Sequence, residues 1–229
     1  MIKVVIFDLD NTLTDFMRMK ESAVDAAVDA MVDAGLRLPP ETIKKKIYEV
    51  YEEKGIEFQS VFDTVLEELL GEVNHKVLAA SVVAYRRAKE AALVLYPHVR
   101  VTLFELIKRG IRLAVVSDAP RKEGWLRLCY LQLHHMFEKV LTFEDTGQRK
   151  PSPVPFKRVL DHFGVEPHRA MMVGDWPERD IQGAAQLGIV TVFARYGDRA
   201  GIVESGAQYE IRDIIELIDI IDRHNGREN

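Results

Sequence analysis

The chain holds a single cysteine, Cys129. One thiol cannot close a disulfide within the molecule, so the fold does not rest on oxidation. No apolar run is long enough to span a bilayer. Asp8 breaks the N-terminal apolar tract after a few residues, which excludes an ordinary signal peptide and sets the expectation of a soluble, cytoplasmic protein without a membrane partner. Basic residues are not in excess. With 31 Lys and Arg against 36 Asp and Glu, the formal net charge is -5, which argues against a nucleic-acid partner. There is no internal repeat and no low-complexity tract.

What is present is an ordinary globular composition, 47% hydrophobic and 29% charged over 229 residues. That length suits one large domain or a core with an inserted subdomain. The most telling tract is Val4-Val5-Ile6-Phe7 followed by Asp8-Leu9-Asp10-Asn11-Thr12-Leu13-Thr14. A continuous apolar run bounded by polar turn formers reads as a buried strand of a parallel sheet. Ligands of open α/β sheets bind beyond the carboxyl ends of the strands, where Asp8 and Asp10 would stand. Two acids there are unfavourable unless their charge is offset, and a divalent cation is the natural partner.

The first strand is expected over residues 3–9. Helical spacing then runs through Phe16, Met19, Ala23, Ala27, Met31 and Ala34 to Gly35. Further helices are expected over 40–55, 57–70 and 74–93. Four consecutive helices do not fit a repeating strand–helix scheme. They read as an insert of roughly eighty residues. After Pro97 the alternation resumes. A helix ends at Gly110, and strands are expected over 111–116, 139–143, 170–173 and 189–194. Helices are expected over 125–133, 153–164, 177–187 and 212–223, with a frayed tail over 225–229. This pattern argues a doubly wound, Rossmann-like parallel-sheet core (1–14 and 96–229) with an inserted α-helical cap domain (15–95).

Polar groups stand at or shortly past the ends of several expected strands: Asp8 and Asp10, then Ser117, then Lys150 a few residues past a strand, then Asp175 and Asp180. Each alone has a plain reading as turn former, helix cap or solvated charge. Together they match the needs of phosphoryl transfer. A hard cation takes carboxylate and phosphate oxygens. A carboxylate can attack phosphorus. A hydroxyl and a lysine can hold the transferring oxygens, and a second acid can protonate the leaving oxygen.

The tracts Asp8-Leu9-Asp10-Asn11-Thr12, Val116-Ser117-Asp118, Lys150-Pro151 and Gly174-Asp175-Trp176-Pro177-Glu178-Arg179-Asp180 resemble, in order, the four motifs of the haloacid dehalogenase-like hydrolase superfamily. The helical insert resembles that family's C1 cap. The resemblance implies Asp8 as nucleophile and metal ligand. It implies Asp10 as general acid and then base, with its backbone carbonyl on the metal. Ser117 and Lys150 would bind the substrate phosphate, Asp175 would ligate Mg²⁺, and Asp180 would orient Lys150 or a metal-bound water. The acid two residues after the nucleophile is what phosphatases and phosphomutases keep and dehalogenases do not need. The implied function is therefore Mg²⁺-dependent hydrolysis of a small phosphomonoester. A phosphomutase on the same scaffold is the alternative, ahead of a 2-haloacid dehalogenase or a non-catalytic binding module. Residues 3–15, Tyr85 and Phe193-Ala194-Arg195-Tyr196-Gly197-Asp198 are similar to archaeal C1-capped phosphatases, some of which act on glyceraldehyde 3-phosphate, and this implies a triose or sugar phosphate as the small phosphorylated metabolite.

Other features carry less. Cys129, among leucines, reads as a core thiol. His134-His135 reads as a helix-end or surface pair. Lys44-Lys45-Lys46 reads as a solvated face. Arg18 and Lys20 are both candidates for a cap cation that reaches substrate. Trp176 is bulkier than the residue usual after that acid, and it either narrows the pocket or packs. Asp118 reads as a helix cap or as a support to the site.

Overall fold

The computed structural model describes residues 1–226. Six parallel strands form one sheet: β1 (Val4–Phe7), β2 (Arg112–Val116), β3 (Lys139–Leu141), β4 (Ala170–Gly174), β5 (Val190–Ala194) and β6 (Tyr209–Ile211). Their order is β3-β2-β1-β4-β5-β6. Every residue of β1, β4 and β5 is buried, as expected for parallel strands covered on both faces. The chain builds outward from β1 through β2 and β3, then returns to the other side of β1 to lay down β4. This is the reversal of strand order at which ligands bind in such sheets. Phe7 pairs in register with Val115 on one side and Val173 on the other. Asp8, Ser117 and Asp175 therefore leave the sheet at the same edge.

Two compact units are present: Met1–Asp15 with Leu95–Asn229, and Phe16–Val94. The second unit is four helices, α1 (Phe16–Asp33), α2 (Pro40–Lys54), α3 (Val61–Leu70) and α4 (His75–Ala92). Their apolar stripes meet in a core that includes Val24, Ala27, Met31, Ile43, Ile47, Val65 and Leu66. Asn74 caps α4 by accepting from the backbone N–H groups of Lys76 and Val77. None of the described helices is long and apolar enough to cross a membrane.

In the first unit, α5 (Val99–Lys108), α6 (Arg121–Tyr130), α7 (Phe143–Thr146), α8 (Pro153–Phe163), α9 (Gln182–Ala185) and α10 (Glu216–His224) accompany the strands. Phe156 and Val159 of α8 and Ala184 of α9 pack on Val4, Ile6, Ala114, Val116 and Met172. The serine and proline expected to open α8 do so, with the Ser152 hydroxyl accepting from Val154 N–H.

The structure departs from the sequence expectations at several points. β6 is an added edge strand. Its three residues are too few, and too polar at Glu210, to announce themselves. Residues 143–146 turn into α7 instead of extending β3, because Thr142 and Asp145 form a reciprocal cap. Residues 177–181 form a wide, π-type turn before α9. Asn225 is not frayed: its side chain accepts from Ile2 N–H at 2.6 Å and donates to Ile2 C=O at 3.2 Å. The rest of the expected tail, from 227, lies outside the described residues. Cys129 is exposed, not a core thiol. The reason lies in how α6 is turned. Glu123, Gly124, Arg127 and Leu128 face inward while Trp125, Leu126, Cys129 and Tyr130 face out.

Beyond β5 the chain folds back on the loop that follows β1. The Tyr196 hydroxyl donates to Thr12 C=O at 2.9 Å, and its ring meets Tyr96 edge-on at 5.0 Å. Gly197 lies so close to this loop that a Cβ built on it falls 1.8 Å from Asn11 C=O oxygen. Any side chain there must displace the backbone that follows Asp10. Gly197→Ala is expected to destabilise the protein by about 2 kcal/mol or more, the range of a forced backbone shift. Urea unfolding checks this, and an unchanged midpoint would refute the close-packing argument.

Candidate active site

Asp8 follows the last residue of β1, and its N–H donates to Val173 C=O at 2.9 Å. Its side chain is buried and paired with the Lys150 ammonium. Lys150 comes from the loop before α8 and is itself buried. Its Nζ also lies 2.6 Å from Asp180 Oδ1. One cation therefore stands between two buried carboxylates delivered by different segments. The Lys150 backbone N–H donates to Asp118 Oδ1 at 3.0 Å. Asp118 thus supports the loop that presents the lysine, the second of the two roles expected for it. Ser117 is buried at the end of β2, and its hydroxyl accepts from Ala119 N–H at 3.1 Å.

Asp175 follows β4, and Asp180 lies five residues on in the wide turn. Asp180 Oδ2 accepts from Trp176 N–H at 3.1 Å, so the turn closes on its own acid. Gly174 is required by this closure, since a Cβ there would lie 2.3 Å from Asp180 Oδ2. Asp175 Oδ1 accepts from the Thr12 hydroxyl at 3.1 Å, which ties this turn to the loop after β1. Asn11 holds a left-handed backbone, φ 59°, in that loop, a conformation asparagine tolerates better than most residues. Asp10 turns its carboxylate elsewhere: its Oδ2 accepts from Arg127 Nη1 at 3.0 Å.

The electrostatics follow from burial and crowding. Burial raises the Asp8 carboxyl well above the usual carboxylate range. Lys150 opposes that rise, while Asp180, Asp175 and Asp10 add to it. Asp175 is pushed up to about 8, first by burial and then by Asp180. Burial alone would lower Lys150; the charges of Asp180, Asp8 and Asp118 outweigh it and hold Lys150 above the usual lysine value. Asp8, Asp175 and Asp180 each bring one oxygen within 4.8 Å of the others. Among the described residues, theirs is the one cluster of acids, histidines or cysteines so placed. An all-oxygen set of crowded carboxylates suits a hard divalent cation.

Of the residues picked out in the sequence, Asp8, Lys150, Asp175 and Asp180 are thus brought together, Ser117 stands at the same sheet edge, and Asp10 lies two residues beyond Asp8. The bystanders resolve differently. Trp176 is exposed, and its ring is covered by the Arg179 guanidinium at 3.8 Å. Lys44 and Lys46 pair with Asp25 and Glu68. In the helical unit Arg18 is exposed, whereas Lys20 is buried with its Nζ 2.9 Å from the Tyr85 hydroxyl and over the Tyr51 ring. Three residues of the site escaped sequence reasoning. Thr12 and Tyr196 lie within the tracts quoted above but signal nothing individually. Arg127 stands between Leu126 and Leu128 in the apolar second half of α6, and a lone charge in that stretch is the signal that could have found it.

Known proteins are similar to this one along nearly the whole chain. Glyceraldehyde 3-phosphate phosphatase from Pyrococcus furiosus is 35% identical over 228 residues, covering 98% of this chain and 95% of that protein. Phosphoglycolate phosphatase from Aquifex aeolicus is 30% identical over 204 residues, covering 86% of each. The crystal structure of a HAD phosphatase from Thermococcus onnurineus superposes with a TM-score of 0.71 at 25% identity, covering 96% of this chain and 98% of that one. The model of one family, haloacid dehalogenase-like hydrolase, matches residues 2–188. With its parallel sheet, its acids at the strand ends and relatives matched along nearly its whole length, the chain belongs to the haloacid dehalogenase-like hydrolase family.

Proposed function

We propose that this protein is a Mg²⁺-dependent phosphatase that hydrolyses a small phosphomonoester, a triose or sugar phosphate, through an aspartyl-phosphate. One observation carries the reading. The buried Asp8 carboxylate is held against the Lys150 ammonium, beside Asp175 and Asp180 and two residues from a further acid, Asp10. The substrate class is supported by full-length likeness to proteins named glyceraldehyde 3-phosphate phosphatase.

Asp8, the Asp10 carbonyl and Asp175 would hold the cation, which supplies charge neutralisation at the phosphoryl group when bound. The chain's own residues do the rest. An oxygen of Asp8 attacks phosphorus as the bond from phosphorus to the leaving oxygen breaks. Asp10 gives its proton to that oxygen, and the alcohol departs. Lys150 and Ser117 hold the non-bridging oxygens while their charge shifts. Water then attacks phosphorus, Asp10 takes its proton, and the bond from phosphorus to the Asp8 oxygen breaks. Inorganic phosphate leaves, and Asp8 returns as a carboxylate with Asp10 protonated. Asp180 keeps Lys150 in place through both halves.

Assay of the purified protein on a panel of phosphorylated metabolites is expected to show phosphate release with Mg²⁺. Activity should be lost with EDTA and regained on adding Mg²⁺. Asp8→Asn should fall to background while the variant stays folded. Asp10→Asn should slow turnover by about 10²–10⁴-fold, the range of a lost general acid–base. Metal-independent release, or full activity of Asp8→Asn, would end this reading. Transfer of phosphate from a sugar bisphosphate to a second hydroxyl, without net release, would make the protein a mutase.

A stability prediction follows from the same charges. The folded pKa values of Asp8 and Asp175 lie above those of the unfolded chain, which are about 4. Without metal, the folded state therefore binds protons that the unfolded state has released. That stabilisation is fully present below about pH 4 and is lost as the pH rises through about 8. Metal-free protein should show a melting temperature that falls from about pH 5 to about pH 8, and Mg²⁺ should raise it most at the upper end. A metal-free melting temperature that rises over this interval would contradict the assignment.

A further inference from the structure

Helix α6 is turned against its own hydrophobic pattern. Trp125, Leu126, Cys129 and Tyr130 would give it an apolar face, yet that face is exposed. The face turned to the interior carries Glu123, Gly124, Arg127 and Leu128. Arg127 is 1% exposed, among the largest fully buried side chains of the protein. Desolvating a guanidinium is unfavourable, and leaving four apolar or aromatic side chains in water adds to that. Something other than burial of apolar surface sets this rotation.

Four contacts fix it. The Arg121 N–H donates to Glu144 Oε2 at 2.6 Å, and the Arg121 guanidinium lies 2.9 Å from Asp145 Oδ1, so the start of α6 is tied to α7. Gly124 lies against Thr142, where a Cβ would stand 3.3 Å from the threonine methyl. Past the other end, Leu131 C=O accepts from Arg100 Nη2 at 2.9 Å. Held this way, α6 aims Arg127 across the end of the sheet at Asp10, with Nη1 3.0 Å from Oδ2.

We infer that Arg127 is a positioning residue for Asp10: α6 is rotated so that a buried guanidinium fixes the carboxylate of the proton donor. The inference rests on Asp10 having the role given to it under the proposed function. A carboxylate on a short side chain still chooses among rotamers. Engaging Oδ2 from a rigid helix selects one of them and aims Oδ1 for proton transfer. A catalytic group displaced by an ångström loses much of its effect, so the selection bears on the chemical step and not on substrate affinity.

The test uses leaving groups of different basicity. An alkyl phosphate departs as an alkoxide unless its oxygen is protonated, whereas a 4-nitrophenyl oxide leaves unaided. Loss of the acid, or of its orientation, therefore steepens the dependence of kcat/KM on leaving-group basicity. Wild type, Arg127→Met, Arg127→Gln and Asp10→Asn are compared on 4-nitrophenyl phosphate and on an alkyl phosphate such as glycerol phosphate, with Mg²⁺. Arg127→Met, which keeps the side-chain volume, should lose at least about ten-fold more kcat/KM on the alkyl than on the aryl ester, with Asp10→Asn steeper still. Should Arg127→Met not fold, Arg127→Gln is read by the same criterion. Equal losses on both esters in the folded Arg127 variants, beside a steepened Asp10→Asn, would overturn the role of Arg127 and leave that of Asp10 intact. An Asp10→Asn variant with the wild-type dependence would overturn both.

Discussion

The ammonium of Lys150, buried between Asp8 and Asp180, is the interaction on which the rest of the site depends. Three segments far apart in the chain deliver these charges: the end of β1, the loop before α8 and the turn after β4. None can be withdrawn alone. Removing one partner of a buried pair leaves a charge stranded, at a penalty of about 3–5 kcal/mol. Local features otherwise hard to explain serve this contact. Gly174 is a glycine because Asp180 folds back over it. Asp118 accepts from the Lys150 backbone so that the loop presents its side chain inward. The Thr12 hydroxyl joins the β1 loop to Asp175, so the strands on either side of the reversal in strand order share one polar network.

The two acids of the opening tract are separated by their partners as much as by their positions. Asp8 is set against Lys150 and crowded by Asp175 and Asp180, which supports the role proposed for it, a carboxylate that approaches an anionic phosphoryl group while its charge is balanced. Asp10 is turned away to Arg127 on α6. Divergent environments for neighbouring carboxyls are how one site assigns different tasks to identical groups. The loop between β1 and Thr14 carries both, and Tyr196 and Gly197, just beyond the end of β5, brace it.

Much of this was legible before any coordinates. The alternation of apolar runs with helical periodicity announced a parallel sheet because strands buried on both faces must be continuously apolar, as Val4–Phe7 and Ala170–Gly174 are. Asp8, Ser117 and Asp175 could be picked out because each stands just beyond such a run, where the architecture places ligands; Lys150 stands further on, past β3 and α7, and is picked out by its place in the order of the motifs. β6 was not legible, since three edge residues carry no periodicity. The inward face of α6 was misread for a different reason. Hydrophobic patterning assumes that the apolar stripe is the buried one, and here ties to α7 and a close glycine contact set the rotation instead.

The sequence by itself therefore determined the class of fold, the order of the strands' polar ends and the family of chemistry, because these depend on local pattern and on residue types at fixed spacing. Only the tertiary structure decided which charges meet. Lys150 lies 142 residues from Asp8 and Arg127 lies 117 from Asp10. No local rule connects residues so far apart. Their pairing exists because a parallel sheet gathers the ends of its strands at one edge and because α6 is held with a charged face inward.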